Sequence, residues 1–449
     1  MPISRSTAAL AFVAVLSMVS APVIVAGVKP TVALILIVAC LAALVLSRDA
    51  PVARAFVVAV LGVSATLDLV RRVDLGPVTA YAWLTGAVAL CAAFLAVVLA
   101  KSAVPSAGRH VLTLMTLFPL WTLLAASWSG PDASGFQNIL MYMLFPSVAA
   151  VSAVATAMGE LTFATLRKLM AGTFIAGSAL YAGSLLLEGP GGQAVVDPRP
   201  YATFAAVGVA WSVALTRYGY RAELRLAVAM LALAFLSLSR ASFAVAVLIL
   251  VVGMFGLGSI RSTGRTLATL ATLVVLVVAG IHFANPFAAR FSEPDVVALP
   301  GGVHLSVSGR GALWEATWRS ALESPIVGKG AGTTRAPLSS VAAHEGHPHN
   351  DYLRVFHDYG LVGVALLLCA LGAPALLAAR SLRRTPPTGV EQRAVHLAAI
   401  LALAVLALEL VTDNSLVYPF VIIPVAVMVG ASLARTDRDA LSLPVARRS

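Results

Sequence analysis

The stretch LVGVALLLCALGAPALLAA, residues 361–379, lies between Gly360 and Arg380 and contains no charged residue. A helix of about 20 such residues crosses the hydrocarbon core of a bilayer. Similar runs recur along the chain, whose 449 residues are 59% hydrophobic and 11% charged, with a mean hydropathy of +0.92. These values exclude a soluble globular protein and predict an all-α, polytopic integral membrane protein.

The apolar runs, together with the basic residues between them, predict about 12 to 14 transmembrane helices. Lysine and arginine collect in every second connection, and the connection after 361–379 is the clearest case, with four arginines in 380–393. Cytoplasmic loops carry this excess, so we expect residue 361 to lie near the outer face and residue 379 near the cytoplasm. The candidate spans are 7–27, 30–47, 54–70, 78–100, 111–128, 138–157, 169–187, 201–216, 224–239, 241–258, 266–284, 361–379, 394–412 and 416–434.

This orientation divides the chain into three regions. Residues 1–284 form an N-terminal transmembrane bundle of about 11 spans, residues 285–360 a large periplasmic loop with short helices, and residues 361–449 the C-terminal transmembrane helices and a cytoplasmic tail. The net charge of +11 then has a topological cause, and we expect no nucleic-acid partner because no basic stripe is interleaved with aromatic residues. The long loop is the expected catalytic region, since loops of that length in a tight architecture are usually functional.

Two segments of the loop have a recognisable local pattern. Residues 308–323 predict a helix with Trp314, Trp318 and Leu322 on one stripe, and tryptophan favours the membrane–water interface. The pair Ser324-Pro325 ends this helix, and Gly328-Lys-Gly-Ala-Gly332 predicts a flexible turn. Helical periodicity returns from His349 and continues until Gly360 gives way to the next span.

An enzyme at the outer face has no ATP and needs an already activated donor, for which a polyprenyl-diphosphate sugar is suitable. Arginine binds the diphosphate leaving group well because its guanidinium stays charged and matches phosphate oxygens bidentately. Arg240 lies between two very apolar runs, and Arg310 precedes the predicted surface helix, so both are expected to bind the diphosphate. The alternatives are a snorkelling residue at Arg240 and a solvated helix start at Arg310. Arg199 is a further candidate for substrate binding, although Asp197 could be its partner.

A general base is needed to take the proton of an acceptor hydroxyl. His349 follows Pro348 at an expected helix start, where the helix dipole favours the neutral ring that can accept a proton. His347 and Asn350 are further candidates for substrate binding. A competing hypothesis is a zinc site of His344, His347, His349 and Asp351, but their spacing matches no strong metal signature, so neither a metal nor a cofactor is expected.

The carboxylates near the outer end of the span 394–412 leave two interpretations open. Glu409 either pairs with one of the functional arginines or acts as a structural brace, and Asp413-Asn414 follows it directly.

Taken in order, these segments resemble the O-antigen ligase/polymerase family of bacterial envelope glycosyltransferases. The likeness covers roughly residues 199–430 and is strongest at 306–364. It rests on five segments: Ser239-Arg-Ala-Ser242, Ser308-Gly-Arg-Gly-Ala-Leu-Trp-Glu315, Ser324-Pro-Ile-Val-Gly-Lys-Gly-Ala-Gly332, His349-Asn-Asp-Tyr-Leu353 and Asp358-Tyr-Gly-Leu-Val-Gly363.

The resemblance implies a metal-independent, inverting transfer of an undecaprenyl-diphosphate-linked glycan at the periplasmic face of the inner membrane. It implies that Arg240 and Arg310 bind the diphosphate and that His349 is the base. The preferred interpretation is an O-antigen ligase with lipid A core as the acceptor. A polymerase that uses a second lipid-linked glycan, and a protein O-oligosaccharyltransferase, remain alternatives within the family. Fourteen spans exceed the twelve associated with ligases and are closer to the polymerases. A polytopic transporter or flippase is the alternative of another class.

Overall fold

The computed structural model describes residues 52–66, 104–131, 133–255, 296–299, 303–306, 310–341 and 346–436. In this part the chain is helical apart from one short hairpin, in which Val296–Leu299 (β1) pairs antiparallel with Val303–Ser306 (β2). The helices are Val52–Ala65 (α1), Ser106–Ser129 (α2), Ala133–Ala157 (α3), Phe163–Glu188 (α4), Pro198–Arg217 (α5), Glu223–Leu236 (α6), Arg240–Phe255 (α7), Gly311–Ala321 (α8), Arg335–Ser339 (α9), Asp351–Arg384 (α10), Val390–Glu409 (α11) and Pro419–Leu433 (α12).

The prediction of an all-α, polytopic membrane protein is confirmed. Within the described residues, five helices are long and apolar enough to cross a membrane, namely α2, α3 from Gly135, α4, α10 and α11. Shorter apolar helices are α1, α7 and α12. The predicted spans 7–27, 30–47, 78–100 and 266–284 lie outside the described residues, and each of the others coincides with a described helix. The hairpin β1–β2 was not predicted.

Helices α5 and α12 form the centre of the bundle. All residues of α5 from Pro200 to Leu215 are buried, and so is every residue of α12. Small residues allow neighbouring helices to approach these two closely: a Cβ at Gly208 would lie 2.4 Å from Met230 Sδ, and one at Gly430 would lie 2.2 Å from the carbonyl oxygen of Ala149. Close packing of this kind substitutes for the hydrophobic driving force that lipid removes between membrane helices.

Helix α10 is broken at Gly360, whose φ of 67° is left-handed. The break frees backbone N–H groups, and the segment after α8 accepts hydrogen bonds from them: Leu361 donates to Pro325 O (2.8 Å) and Val362 to Ile326 O (3.2 Å). A side chain at Gly360 would lie 2.2 Å from Ile326 O, so only glycine fits there. The segment that follows α8 is therefore joined directly to the break in α10.

Candidate functional site

The N-terminus of α10 is fixed to the connection between α11 and α12. The backbone N–H of Asp351 donates to Leu410 O (2.8 Å), and the Asp351 carboxylate accepts from the backbone N–H of Leu416 (2.8 Å). Asp351 is fully buried and forms an ion pair with Arg354, which is also buried. The segment 347–350 is consequently held beside residues 410–416.

His349 lies immediately before α10. Its φ of 52° is left-handed, which is uncommon for a residue with a side chain and costs about 1–3 kcal/mol. Its Nδ1 atom lies 3.7 Å from Asp413 Oδ1 and 3.4 Å from Asn414 Nδ2. This left-handed backbone places the imidazole beside the carboxylate of the α11–α12 connection, and the surrounding contacts must offset its cost.

Asp413 is almost fully buried and well supplied with donors. Its Oδ1 atom accepts from the backbone N–H of Asn414 (2.8 Å) and from the hydroxyl of Tyr418 (3.1 Å). Burial raises the pKa of this carboxyl group, but the contacts with His349 and the Asn414 N–H and the positive charge of Arg310 outweigh it and hold the pKa below its usual value. Asp413 is therefore ionised at neutral pH.

Arg310 reaches the same connection from α8. It lies at the N-cap position of α8, and its guanidinium donates to the carbonyl oxygen of Thr412, next to Asp413. One turn along α8, Trp314 Nε1 donates to Pro348 O (2.7 Å), the residue before His349. Two residues selected from the sequence, Arg310 and His349, are therefore brought to one place.

Arg240 and Arg199 lie in the first turns of α7 and α5. Ser242, two residues after Arg240, and Thr203, four residues after Arg199, both donate to Glu409 Oε2, at 3.1 and 3.5 Å. Glu409 ends α11, one helical turn before Asp413. The starts of α5 and α7 thus lie on the same side of the bundle as His349.

Glu409 itself is fully buried and meets hydroxyl groups. Its Oε2 atom accepts from the hydroxyls of Thr203 and Ser242, and in the described part of the chain its Oε1 atom has no hydrogen-bond partner. Of the two interpretations, the structure favours the brace, which ties α5 and α7 to the end of α11.

Asn350 has a structural role as the N-cap of α10, where its side chain accepts from the backbone N–H of Leu353 (2.9 Å). His347 is partly buried three residues before Asn350, and His344 lies outside the described residues. Among the residues that the structure describes, no three histidine, cysteine or acidic side chains are grouped so as to hold a metal ion.

The turn at 328–332, predicted to be flexible, is instead fixed against α10, so that prediction is wrong. The backbone N–H groups of Lys329 and Gly330 donate to His357 O (3.0 Å) and Asp358 O (2.8 Å). The buried Asp358 carboxylate accepts from the N–H groups of Gly332 (3.2 Å) and Thr334 (3.0 Å) and contacts the His357 ring (2.9 Å). These partners are distant in the sequence, so local glycine content alone could not indicate them.

Asp413 is the residue whose role sequence reasoning missed. The signal was a polar pair, Asp413-Asn414, directly after an apolar span, but its proximity to His349 depends on how α10 and α11 pack.

A left-handed backbone at a residue other than glycine is a further signal of the candidate site, and it is visible only in the structure. Within the described residues, the non-glycine residues with positive φ are His349 and Leu238, and Leu238 lies two positions before Arg240.

Taken together, these features define a polytopic membrane protein in which a histidine, a carboxylate and an arginine meet at the α11–α12 connection. Residues 226–368 match the family model described as O-antigen ligase. This match supports a relationship to the O-antigen ligase family of glycosyltransferase-like enzymes, over about a third of the chain. The matched region includes Arg240, Arg310 and His349, whereas Arg199 and Asp413 lie outside it. The comparison with curated proteins finds no match to this chain.

Proposed function

We propose that this protein is an O-antigen ligase, a metal-independent inverting glycosyltransferase. It transfers a glycan from undecaprenyl diphosphate to a hydroxyl of lipid A core at the periplasmic face of the inner membrane. The observation that carries the proposal is the meeting of His349, Asp413 and Arg310 at the α11–α12 connection, within a chain whose residues 226–368 match the O-antigen ligase family model.

In the proposed reaction the acceptor oxygen attacks the anomeric carbon from the face opposite the diphosphate. His349 takes the acceptor proton, the new C–O bond forms, and the bond to the diphosphate breaks with its electron pair on the leaving oxygen. One displacement inverts the anomeric centre. The products are the glycosylated acceptor and undecaprenyl diphosphate.

The pairing of His349 with Asp413 supports its assignment as the base. Asp413 faces Nδ1 at 3.7 Å, so we assign Nε2 as the atom that accepts the proton. The imidazolium formed in the transition state is then stabilised by an ionised carboxylate that needs no rearrangement. An arrangement of this kind orients the ring as well as stabilising its charge.

The arginines supply the positive charge that the leaving diphosphate needs. Arg310 is held at the start of α8 by Thr412, where the N-terminal N–H groups of the helix also favour an anion. Arg240 occupies the start of α7 and is proposed to bind the same diphosphate from the other side. His347, Asn350 and Arg199 are proposed to contact the glycan or the acceptor around these groups.

The transfer product tests this function. Purified protein is incubated with an undecaprenyl-diphosphate glycan and either lipid A core or a second molecule of the donor, with and without a chelator. We expect a single transfer to lipid A core, of inverted configuration, in the presence of the chelator.

Each other product identifies a different activity. A ladder formed from donor alone indicates a polymerase, and transfer to a protein hydroxyl indicates a protein O-oligosaccharyltransferase. Loss of transfer in chelator that zinc restores contradicts the metal-independent mechanism. Movement of the intact donor across a vesicle membrane without transfer indicates a flippase.

A further inference from the structure

A single buried residue, Asp351, joins both ends of the α11–α12 connection to α10. Its backbone N–H donates to Leu410 O (2.8 Å), at the end of α11, and its carboxylate accepts from the backbone N–H of Leu416 (2.8 Å), shortly before α12. Asp413 lies midway in the sequence between Leu410 and Leu416. Asp351 therefore fixes the chain on both sides of the carboxylate that faces His349.

Asp351 also fixes the chain that carries His349, which precedes it by two positions. A side-chain-bearing residue stays in the left-handed region only where the surrounding structure over-determines it. The start of α10 meets this requirement, because Asn350 caps the helix and Asp351 is bonded through both its backbone and its side chain. The positions of His349 and Asp413 are thus set from one residue.

The charge of Asp351 is balanced by Arg354, one turn further along α10. The two side chains form an ion pair and are 0% and 1% exposed, and the guanidinium lies over the Tyr142 ring of α3, 5.8 Å from its centroid. A buried carboxylate without a cation would be costly, and Asp351 is close enough to Asp413 to interact with it as a like charge. Arg354 therefore allows Asp351 to serve as the acceptor for Leu416 beside a second carboxylate.

The two buried carboxylates near His349 differ in their contacts. Asp351 uses Oδ2 to accept from Leu416 and Oδ1 to contact Arg354. Asp413 instead directs Oδ1 towards His349 Nδ1, at 3.7 Å. Asp351 consequently acts on the protein backbone, whereas Asp413 acts on the imidazole.

We propose that Asp351, with its charge balanced by Arg354, is a positioning residue that sets the distance between His349 and Asp413 during transfer. The proposal rests on the proposed function for the role of His349 as the base. Asp351 acts through its acceptor oxygen rather than through its charge. An uncharged side chain with the same acceptor should therefore replace it, provided that Arg354 is neutralised as well.

A matched pair of double variants separates the acceptor from the charge. Asp351→Asn/Arg354→Gln removes both buried charges and keeps an oxygen for the Leu416 N–H, whereas Asp351→Ala/Arg354→Gln removes the same charges and that oxygen. Neither variant leaves an unpaired buried charge, so both should fold. We expect the first to keep most of kcat and the second to lose about 10- to 100-fold, the cost of a misplacement of about 1 Å, with the KM of donor and acceptor unchanged.

A control variant removes a different hydrogen bond between α10 and α11. The hydroxyl of Tyr352, the next residue of α10, donates to Ala407 O (3.0 Å), which lies before the α11–α12 connection. Tyr352→Phe should behave as wild type, because this bond does not flank Asp413. A loss in Tyr352→Phe as large as that in Asp351→Ala/Arg354→Gln would overturn the proposal.

A cycle with Asp413→Asn tests whether Asp351 acts through Asp413, because coupled residues have non-additive effects. Asp413→Asn should lower kcat strongly in the wild type and in Asp351→Asn/Arg354→Gln, but only slightly in Asp351→Ala/Arg354→Gln, where Asp413 is already misplaced. Additive effects on kcat, or equal kcat in the two double variants, would overturn the proposal. Normal transfer by His349→Ala would instead contradict the proposed function.

Hydrogen exchange of the wild-type protein tests the contact without any variant or any transfer. The backbone N–H of Leu416 should exchange as slowly as those in the last turn of α11, because its acceptor on Asp351 is buried. Fast exchange at Leu416 in the folded wild-type protein would overturn the proposal even if the alanine variant failed to fold.

Discussion

Asp413→Asn removes the charge beside His349 while keeping the shape of the side chain. If Asp413 stabilises the imidazolium formed during transfer, this substitution should lower kcat and leave the KM of the donor nearly unchanged. The oxygen that accepts from Asn414 and Tyr418 is retained in an asparagine, so the connection should remain folded.

The size of the effect follows from the geometry. Two unit charges separated by 3.7 Å interact by about 4 kcal/mol at an effective dielectric constant of about 20. The side chain of His349 is 21% exposed, so solvent screens part of this attraction, and we expect a net loss of about 2–3 kcal/mol. At about 1.4 kcal/mol for each factor of ten, kcat should fall by about 30- to 150-fold.

The assay is single-turnover transfer to lipid A core, with the thermal midpoint of each purified variant measured in the same detergent. Glu409→Gln is the matched control, because it converts a buried carboxylate on the adjoining turn whose contacts are hydroxyl groups. We expect Glu409→Gln to keep most of the activity. Wild-type kcat in a folded Asp413→Asn protein would refute the proposed role of the carboxylate.

Three further predictions concern the fold, the leaving group and the topology. Gly360→Ala should destabilise the protein by about 2 kcal/mol or more, since the new Cβ would lie 2.2 Å from a backbone oxygen at a left-handed position. The control Gly372→Ala meets no atom within 4 Å and should raise the thermal midpoint slightly. Equal midpoints of the two variants would contradict the packing of the loop on α10. Arg310→Ala should reduce the stabilisation of the transition state by about 2–4 kcal/mol. Arg310→Lys should restore only part of kcat, because lysine lacks the bidentate fork of arginine. Full activity of the lysine variant would assign Arg310 a general electrostatic role. A tag inserted in 285–360 should react with a membrane-impermeant reagent added to the periplasmic side, and a tag in 380–393 should not. The reverse labelling pattern would overturn the proposed orientation of the chain in the membrane.

Much of the fold is predictable from hydropathy because lipid imposes a simple rule on each span separately. Every backbone polar group must be satisfied within its own helix, so a long apolar run becomes a helix regardless of its partners. The run at 361–379 is therefore helical as expected. What hydropathy could not predict is that this helix begins at Asp351 and passes through a break at Gly360, since the break depends on hydrogen bonds to Pro325 and Ile326.

Two residues of the candidate site, Arg310 and His349, were predictable from the sequence, but Asp413 and the assembly of the site were not. Arg310 and His349 stand out because charged or titratable groups at helix starts in an external loop suit phosphate and proton chemistry. Their meeting depends on Asp413 and Thr412, which follow a helix later in the chain. The role of Asp413 arises from tertiary packing, so one sequence without the fold could not assign it.

The substitution His349→Ala tests the central claim most directly. General-base assistance to a sugar hydroxyl is typically worth about 10²–10⁴-fold, so transfer should be nearly abolished while expression and binding of the donor lipid stay intact. His347→Ala and His344→Ala, assayed side by side with the same donor, should retain most of the activity. If His347→Ala is inactive and His349→Ala is active, the base is misassigned. If all three variants lose activity together with a bound metal, the histidines form a metal site and the proposed mechanism is wrong.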